Sequence, residues 1–246
     1  MGYIIAIAGK GGTGKTTIAA LLVRIIKEKK LGSILAVDAD PNSNLGEALG
    51  VEVKATIGEI LDEIAAHPEK IPSGMPKERF IEFQIQTAIS EAEGFDLLTM
   101  GRPEGPGCYC YVNNVLREIM GKLIKDYDYV VIDNEAGLEH LSRRTSRFAD
   151  TLLVISDATI VGLRSARRIN ELADELEIKT KKKLLLVNRS DVDKQFIKDM
   201  GLEYIGDIPQ DSQITKISLD GSSLMRLDSD AVSIATLRQF GERIWN

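Results

Sequence analysis

The chain has 246 residues, of which 43% are apolar and 28% charged, and this composition excludes a globally disordered protein. Its formal net charge of −6 argues against a protein whose main task is to grip nucleic acid. Two cysteines cannot form a disulfide framework, and no apolar run is long enough to cross a bilayer. We therefore expect one cytoplasmic domain over residues 1–246, with no nucleic-acid or membrane partner.

Short apolar strands alternate with helical patterns along the chain. The first strand, Tyr3–Ala8, precedes a helix over Thr17–Lys29, in which Ile and Leu recur at helical spacing. Further strands are predicted at Ser33–Val37, Phe95–Met100, Tyr129–Ile132, Thr151–Ile155, Leu184–Val187 and Tyr204–Asp207. Further helical stretches are predicted at Ile57–Glu93, Tyr111–Lys125 and Val161–Leu176. The pattern predicts an α/β fold: a doubly wound, mostly parallel sheet with helices on both faces.

A phosphate-binding motif lies between the first predicted strand and the first predicted helix. Residues 9–17 read GKGGTGKTT and fit G-x-x-x-x-G-K-[ST], and the strand and helix around them are the context that the motif requires. The glycines let backbone N–H groups surround a phosphate, and the helix N-terminus adds its positive end. We expect Lys15 to reach the β- and γ-phosphates, and the Thr16 hydroxyl to coordinate Mg²⁺. The expected nucleotide-binding residues here are Gly11, Gly12, Thr13, Gly14, Lys15, Thr16 and Thr17.

Lys10 extends this motif beyond an ordinary P-loop. With it, the loop resembles the deviant Walker A motif, K-G-G-x-G-K-[ST], of the ParA, MinD and nitrogenase iron protein superfamily. The resemblance implies a Mg²⁺-dependent ATPase with ATP or ADP bound, which acts as a homodimer. It also implies that Lys10 reaches the phosphates of the partner subunit, so that Lys10 and Lys15 are both catalytic residues.

Two acidic segments match further motifs of this superfamily. Residues 38–41, DADP, resemble its switch I, which implies that Asp40 orients the attacking water and Asp38 lies near the Mg²⁺ shell. The apolar strand that ends at Asp133 is a Walker B pattern, and we expect Asp133 to bind Mg²⁺ through a water molecule. The residues after it resemble switch II, D-x-x-A-G, in which Gly137 exposes its N–H group to the γ-phosphate.

Two later segments resemble the base-binding loops of the same superfamily. Asn188 and Arg189 end a predicted strand, and the resemblance implies that Asn188 bonds the adenine edge while Arg189 flanks the ring. Pro209, Gln210 and Asp211 follow the last predicted strand and resemble the I-P-x-D loop that closes over the base.

Both cysteines lie in the segment Gly107-Cys108-Tyr109-Cys110, after a Pro/Gly-rich loop and before a predicted helix. A helix N-terminus stabilises thiolate, the form that binds metal, and two chains about a two-fold axis would supply four thiolates. The alternatives are two ordinary buried small residues or a redox pair.

A narrower resemblance follows from these cysteines together with residues 136–141, AGLEHL. The chain resembles the CooC-type nickel-insertion ATPases, including the AcsF members, which mature carbon monoxide dehydrogenase and acetyl-CoA synthase. The resemblance implies Ni²⁺ or Zn²⁺ held by Cys108 and Cys110 at the dimer interface, and one of these nickel enzymes as the client. His140, inside this segment, is given no ligand role, because a lone histidine is more often structural.

Three other functions remain open at this stage. A ParA-type DNA-segregation protein would bind DNA, which the acidic charge balance disfavours. A MinD-type spatial regulator would need a membrane helix, and the C-terminal residues 237–245 are short and charge-balanced. An iron–sulfur reductase like the nitrogenase iron protein has widely separated cysteines, whereas these two are separated by one residue.

Overall fold

The structure is a computed structural model, and it describes residues 2–101, 118–135, 148–190 and 200–245. Within these residues, eight strands form one sheet in the order β3-β4-β2-β5-β1-β6-β7-β8. The strands are β1 (Tyr3–Gly9), β2 (Ile34–Ala39), β3 (Ser90–Ala92), β4 (Phe95–Thr99), β5 (Tyr129–Asn134), β6 (Phe148–Ser156), β7 (Lys179–Asn188) and β8 (Glu203–Ile208). All neighbours pair in parallel except β3 and β4, which are antiparallel.

Helices cover both faces of the sheet. The α-helices are α1 (Lys15–Glu28), α2 (Leu45–Leu49), α3 (Ile57–Ala66), α4 (Lys77–Ala88), α5 (Ile160–Glu175), α6 (Ser212–Asp220) and α7 (Val232–Trp245), together with residues 118–123. Short 3₁₀ turns occupy Pro68–Lys70, Ile124–Asp126 and Leu224–Arg226. Apolar residues of α1, α2 and α7 pack on one face of the sheet, and those of α3, α4 and α5 pack on the other. This arrangement confirms the predicted doubly wound α/β fold.

The burial of β1 shows why the strands are continuously apolar. Ile5 and Ile7 point into the core beside α1, whereas Ile4 and Ala6 point into the core on the opposite face. Both sets are fully buried, so neither face of the strand tolerates the polar residues of a half-exposed strand.

Three features of the fold differ from the sequence prediction or add to it. The stretch Ile57–Glu93 is mostly helical, as expected, in α3 and α4, but it ends in the antiparallel edge strand β3, whose three residues Ser-Glu-Ala carry no apolar alternation. Helices α2, α6 and α7 were not predicted. Gly241 weakens the helical signal in the sequence, but α7 continues through it. The glycine lets Trp245 pack closely, since a Cβ there would lie 2.2 Å from the indole ring. Of the predicted helix Tyr111–Lys125, only the part from residue 118 lies within the described residues.

The carboxyl ends of the central parallel strands meet at one edge of the sheet, which is where ligands bind in folds of this kind. The register places Asp38 of β2 opposite Asp133 of β5, and Gly9 of β1 opposite Ile155 of β6. The segments that carry the predicted site residues therefore start side by side. Within the described ranges, no helix is long and apolar enough to cross a membrane.

Candidate functional site

The P-loop connects β1 to α1 in a conformation that requires glycine. Gly12 and Gly14 have φ angles of 79° and 90°, in the left-handed region that side chains with a Cβ rarely adopt. A Cβ at Gly14 would also lie 2.4 Å from Nδ2 of Asn188. The turn is closed by Thr13, whose hydroxyl donates to the carbonyl of Lys10 at 2.9 Å. Lys15 begins α1 and is buried, so the start of this helix combines a lysine with free backbone N–H groups.

Thr16 and Asp133 form a cluster of hard oxygen atoms beside the P-loop. The hydroxyl of Thr16 donates to Oδ2 of Asp133 at 2.6 Å, while the buried Oδ1 of Asp133 has no hydrogen-bond partner. Burial raises the pKa of Asp133 to about 6, against the opposing effects of the Thr16 hydrogen bond and the Lys15 charge. An unsatisfied carboxylate oxygen beside a hydroxyl fits Mg²⁺, which binds one or two protein oxygens and completes its shell with phosphate and water.

Asp38 holds the switch I loop in shape. It is fully buried, its Oδ2 accepts from the N–H group of Leu45 at 2.8 Å, and its Oδ1 accepts from the N–H group of Asp40 at 3.2 Å. Burial, with the nearby charge of Asp133, raises its pKa to about 7. The described contacts of Asp38 are therefore with the loop itself, and its place near the Mg²⁺ shell stays a prediction.

Asp40 lies half-exposed at the start of the same loop. Its Oδ1 accepts from the backbone and side-chain N–H groups of Asn42, both at 2.9 Å. These bonds hold the carboxylate at the same edge of the sheet as the P-loop, which is where a water-orienting group has to be.

Lys10 is exposed where β1 ends, next to the end of β6. Within the described residues, its ammonium group makes no ion pair within 4 Å. Asp157 follows β6, and its pKa is lowered by hydrogen bonds from Thr159 and by the charges of Lys10 and Arg189. The lysine side chain is thus available to a ligand or to a second chain.

A pocket of about 270 Å³ opens beside the P-loop and collects the predicted base-binding residues. Its lining consists of Gly14, Thr17, Ile18, Leu21, Asn188, Arg189, Ile208, Pro209, Gln210, Asp211, Ile214, Thr215 and Ser218. The side-chain amide of Asn188 donates to the carbonyl of Thr13 at 2.8 Å, and the guanidinium of Arg189 donates to that of Gly12. Both residues therefore contact the P-loop and also line the pocket. They join the phosphate-binding loop to the predicted base-binding pocket.

Four residues discussed from the sequence lie outside the described residues: Cys108, Cys110, Gly137 and His140. The predicted soft-metal site and the switch II glycine therefore stay predictions. Among the residues that the structure describes, no group of three or more His, Cys, Asp or Glu side chains is arranged to hold a metal ion.

Sequence reasoning missed part of the pocket wall. Ile214, Thr215 and Ser218 of α6 line the pocket, and the spacing of 214 and 218 by one helical turn was the signal available. Ser233 of α7 holds the adjoining loop through Asp211, and no motif in the sequence indicates that contact.

The fold and the site together define a P-loop nucleotide-binding protein. The chain matches the AAA domain family over residues 2–186. It is 45% identical to an uncharacterized ATP-binding protein of Methanocaldococcus jannaschii, over 99% of this chain and 98% of that protein. It is 32% identical to the carbon monoxide dehydrogenase accessory protein CooC of Rhodospirillum rubrum, over 89% of this chain and 88% of that protein. The chain therefore belongs to this AAA domain family and is a relative of CooC.

A solved structure supports the fold assignment. The septum site-determining protein MinD of Pyrococcus horikoshii, solved as a complex with Mg-ADP, superposes with a TM-score of 0.72. The superposition covers 99% of this chain and 96% of that protein, at 22% identity. At this identity the likeness concerns the fold alone.

Proposed function

We propose that the protein is a homodimeric, Mg²⁺-dependent ATPase that acts as a metallochaperone. In this role it supports nickel insertion into carbon monoxide dehydrogenase or acetyl-CoA synthase. The observation that carries the proposal is the full-length similarity to CooC in a chain that also holds the Cys108–Cys110 pair. That relative's name supports carbon monoxide dehydrogenase as a client. Acetyl-CoA synthase and nickel are supported only by the sequence resemblance, and the nucleotide chemistry is supported by the site.

ATP hydrolysis is supported by the groups around the P-loop. Transfer of a phosphoryl group to water needs charge stabilisation and an aligned water molecule. Lys15 supplies positive charge at the start of α1, and Asp40 supplies a carboxylate at the same edge of the sheet. Mg²⁺, held by Thr16 and Asp133, would neutralise charge on the phosphates.

The homodimer is supported by Lys10. Its exposed side chain has no ion pair among the described residues, and the resemblance to the deviant Walker A motif implies that it reaches the phosphates of a partner subunit. Two subunits would also supply four cysteine thiolates to one metal ion, a number that neither chain has alone. Nucleotide binding would then change the metal affinity through the geometry of the dimer, while the cysteines hold the metal without nucleotide.

Metal titration followed by elemental analysis and mass measurement tests the cysteine site. We expect one Ni²⁺ or Zn²⁺ per dimer, with affinity that rises with pH because the thiols must lose protons. The Cys108→Ser and Cys110→Ser variants should lose the metal and keep ATP binding. Lys15→Ala is the matched control, which should lose ATP and keep the metal. One tightly held metal per monomer, or full binding by the serine variants, would contradict the interface site.

The client is tested by activation of nickel-free carbon monoxide dehydrogenase or acetyl-CoA synthase. We expect activation to require Ni²⁺, ATP and both cysteines. The same samples separate this function from two alternatives. A MinD-like positioning protein would show ATP-dependent binding to a membrane or partner without a metal, and an iron–sulfur reductase would bind a cluster and transfer electrons.

A further inference from the structure

The outer wall of the base pocket is fixed by the carboxylate of Asp211. Its Oδ1 accepts from the backbone N–H group of Gln213 at 2.9 Å. Its Oδ2 accepts from the backbone N–H group and the hydroxyl of Ser233, at 3.1 and 2.7 Å. Both carboxylate oxygens are thus occupied by protein donors, and Asp211 is only 7% exposed. The carboxylate therefore shapes the loop, rather than reading the edge of a base.

The carboxylate of Asp211 accepts hydrogen bonds from the first turns of two helices. Asp211 is the N-cap residue of α6, and Ser233 lies in the first turn of α7, where backbone N–H groups lack partners inside the helix. Although burial opposes ionisation of Asp211, these hydrogen bonds lower its pKa, so the charged form stays in place. Ser233 itself is fully buried and does not line the pocket.

Helix α7 is in turn fixed to the opposite wall of the pocket. That wall is α1, which contributes Thr17, Ile18 and Leu21. The buried Arg24 of α1 donates to the carbonyls of Leu224 and Leu227, at 3.1 and 2.6 Å, just before α7 begins.

A direct contact joins α1 to α7 itself. Glu28 of α1 pairs with Arg238 of α7. Helix α7 and the segment just before it therefore connect one wall of the pocket, at Glu28 and Arg24, to the other wall, at Asp211. Because this connection passes outside the pocket, it can set the distance between the walls without touching a ligand.

We propose that Ser233, acting through Asp211, is a positioning residue that determines the base selectivity of the nucleotide site. The inference rests on the ATP-binding role of this pocket. The Ser233–Asp211 link holds the Pro209–Asp211 loop and α6 at the spacing at which an adenine fits against Asn188. Loss of the link widens the pocket, and the phosphate contacts at the P-loop stay unchanged, because none of them involves α7.

The test compares Ser233→Ala with the unsubstituted protein, and with Thr236→Ala as the matched control. Thr236 is in the same helix, but its hydroxyl donates to the carbonyl of Val232 within that helix, and this hydrogen bond is exposed. Affinities are measured for fluorescent ATP and GTP analogues and for tripolyphosphate, which has no base. We expect Ser233→Ala to lower the ATP-to-GTP preference about tenfold, with tripolyphosphate affinity unchanged, since a hydrogen bond to a charged group is lost. In Ser233→Ala, KM for ATP should rise and kcat should stay unchanged.

A second variant keeps the test informative if Ser233→Ala unfolds. Asp211→Asn retains one oxygen acceptor and should give a smaller loss of preference. The inference would be overturned if Ser233→Ala and Thr236→Ala had the same ATP-to-GTP preference. It would also be overturned if Ser233→Ala lost as much affinity for tripolyphosphate as for ATP. Failure of the unsubstituted protein to bind ATP would instead overturn the proposed function.

Discussion

The hydroxyl of Thr16 donates to Oδ2 of Asp133 at 2.6 Å, which joins the P-loop helix to the end of the Walker B strand. The two residues are 117 positions apart in sequence, and the contact leaves Oδ1 of Asp133 buried and without a hydrogen bond. A buried polar atom in this state needs a partner, and a hydrated divalent cation supplies one. This contact predicts that Mg²⁺ binds beside Thr16 and Asp133.

Asp133→Asn is expected to weaken Mg²⁺ binding by at least about tenfold, because it removes the charge that a hard cation requires. The Mg²⁺ titration of a fluorescent nucleotide complex measures this change. Nucleotide binding in the presence of EDTA should be the same for the variant and the unsubstituted protein. Asp174→Asn, a surface substitution in α5 that breaks a pair with Lys183, is the control and should leave the Mg²⁺ titration unchanged. Equal Mg²⁺ affinity in the Asp133 variant would remove Asp133 from the metal site.

Asp40→Ala is expected to spare ATP binding and reduce turnover by about 10²-fold or more, since the attacking water loses the group that orients it. Single-turnover hydrolysis, measured beside equilibrium binding, separates the two effects. Asn42→Ala tests whether the position of the carboxylate matters, because Asn42 donates both hydrogen bonds to Oδ1 of Asp40. Its backbone donor remains, so a partial loss is expected. Normal turnover in Asp40→Ala would exclude the proposed role.

Lys10→Gln is expected to weaken ATP-dependent dimerisation and hydrolysis, while the monomer stays folded. The residue is exposed and has no ion pair within the described part of the chain, so its removal costs the monomer little. Sedimentation with a non-hydrolysable ATP analogue measures the dimer. Lys30→Gln, at the far end of α1, is the control for loss of one surface charge. Identical sedimentation of the Lys10 and Lys30 variants would show that Lys10 does not act across a dimer.

The pKa shifts of Asp38 and Asp133 predict how stability depends on pH in EDTA without nucleotide. Burial raises these values to about 7 and about 6, so the folded state binds more protons than the unfolded state above about pH 4. The free energy of unfolding should therefore fall as pH rises from about 4 to 7, and this contribution should level off above pH 7. Asp38→Asn should flatten part of this slope in urea titrations. A slope that is unchanged in this variant would show that Asp38 ionises normally.

The P-loop, the strand-terminal aspartates and the mostly parallel α/β fold class could be predicted because each has a local signature. Gly12 and Gly14 are needed by one turn, and Asp133 ends one apolar strand. The link between Asp211 and Ser233 has no such signature, since a carboxylate after β8 caps a helix that begins 21 residues later. The same holds for Arg24, whose carbonyl partners are 200 and 203 positions away. Contacts of this kind depend on the packed fold, so the sequence pattern does not contain them.

Gly14→Ala is expected to destabilise the protein by about 1–3 kcal/mol and to abolish tight nucleotide binding. The residue has a φ of 90°, which an alanine adopts only with strain, and the added Cβ would displace the Asn188 amide that bonds the P-loop carbonyl of Thr13. Urea denaturation and fluorescent-nucleotide binding measure the two effects. Gly121→Ala is the control, because it lies in a helical segment where an added Cβ meets nothing within 4 Å, so stability should hold or rise. If Gly14→Ala bound nucleotide as tightly as Gly121→Ala, the left-handed turn and its contact with Asn188 would have no part in forming the phosphate site.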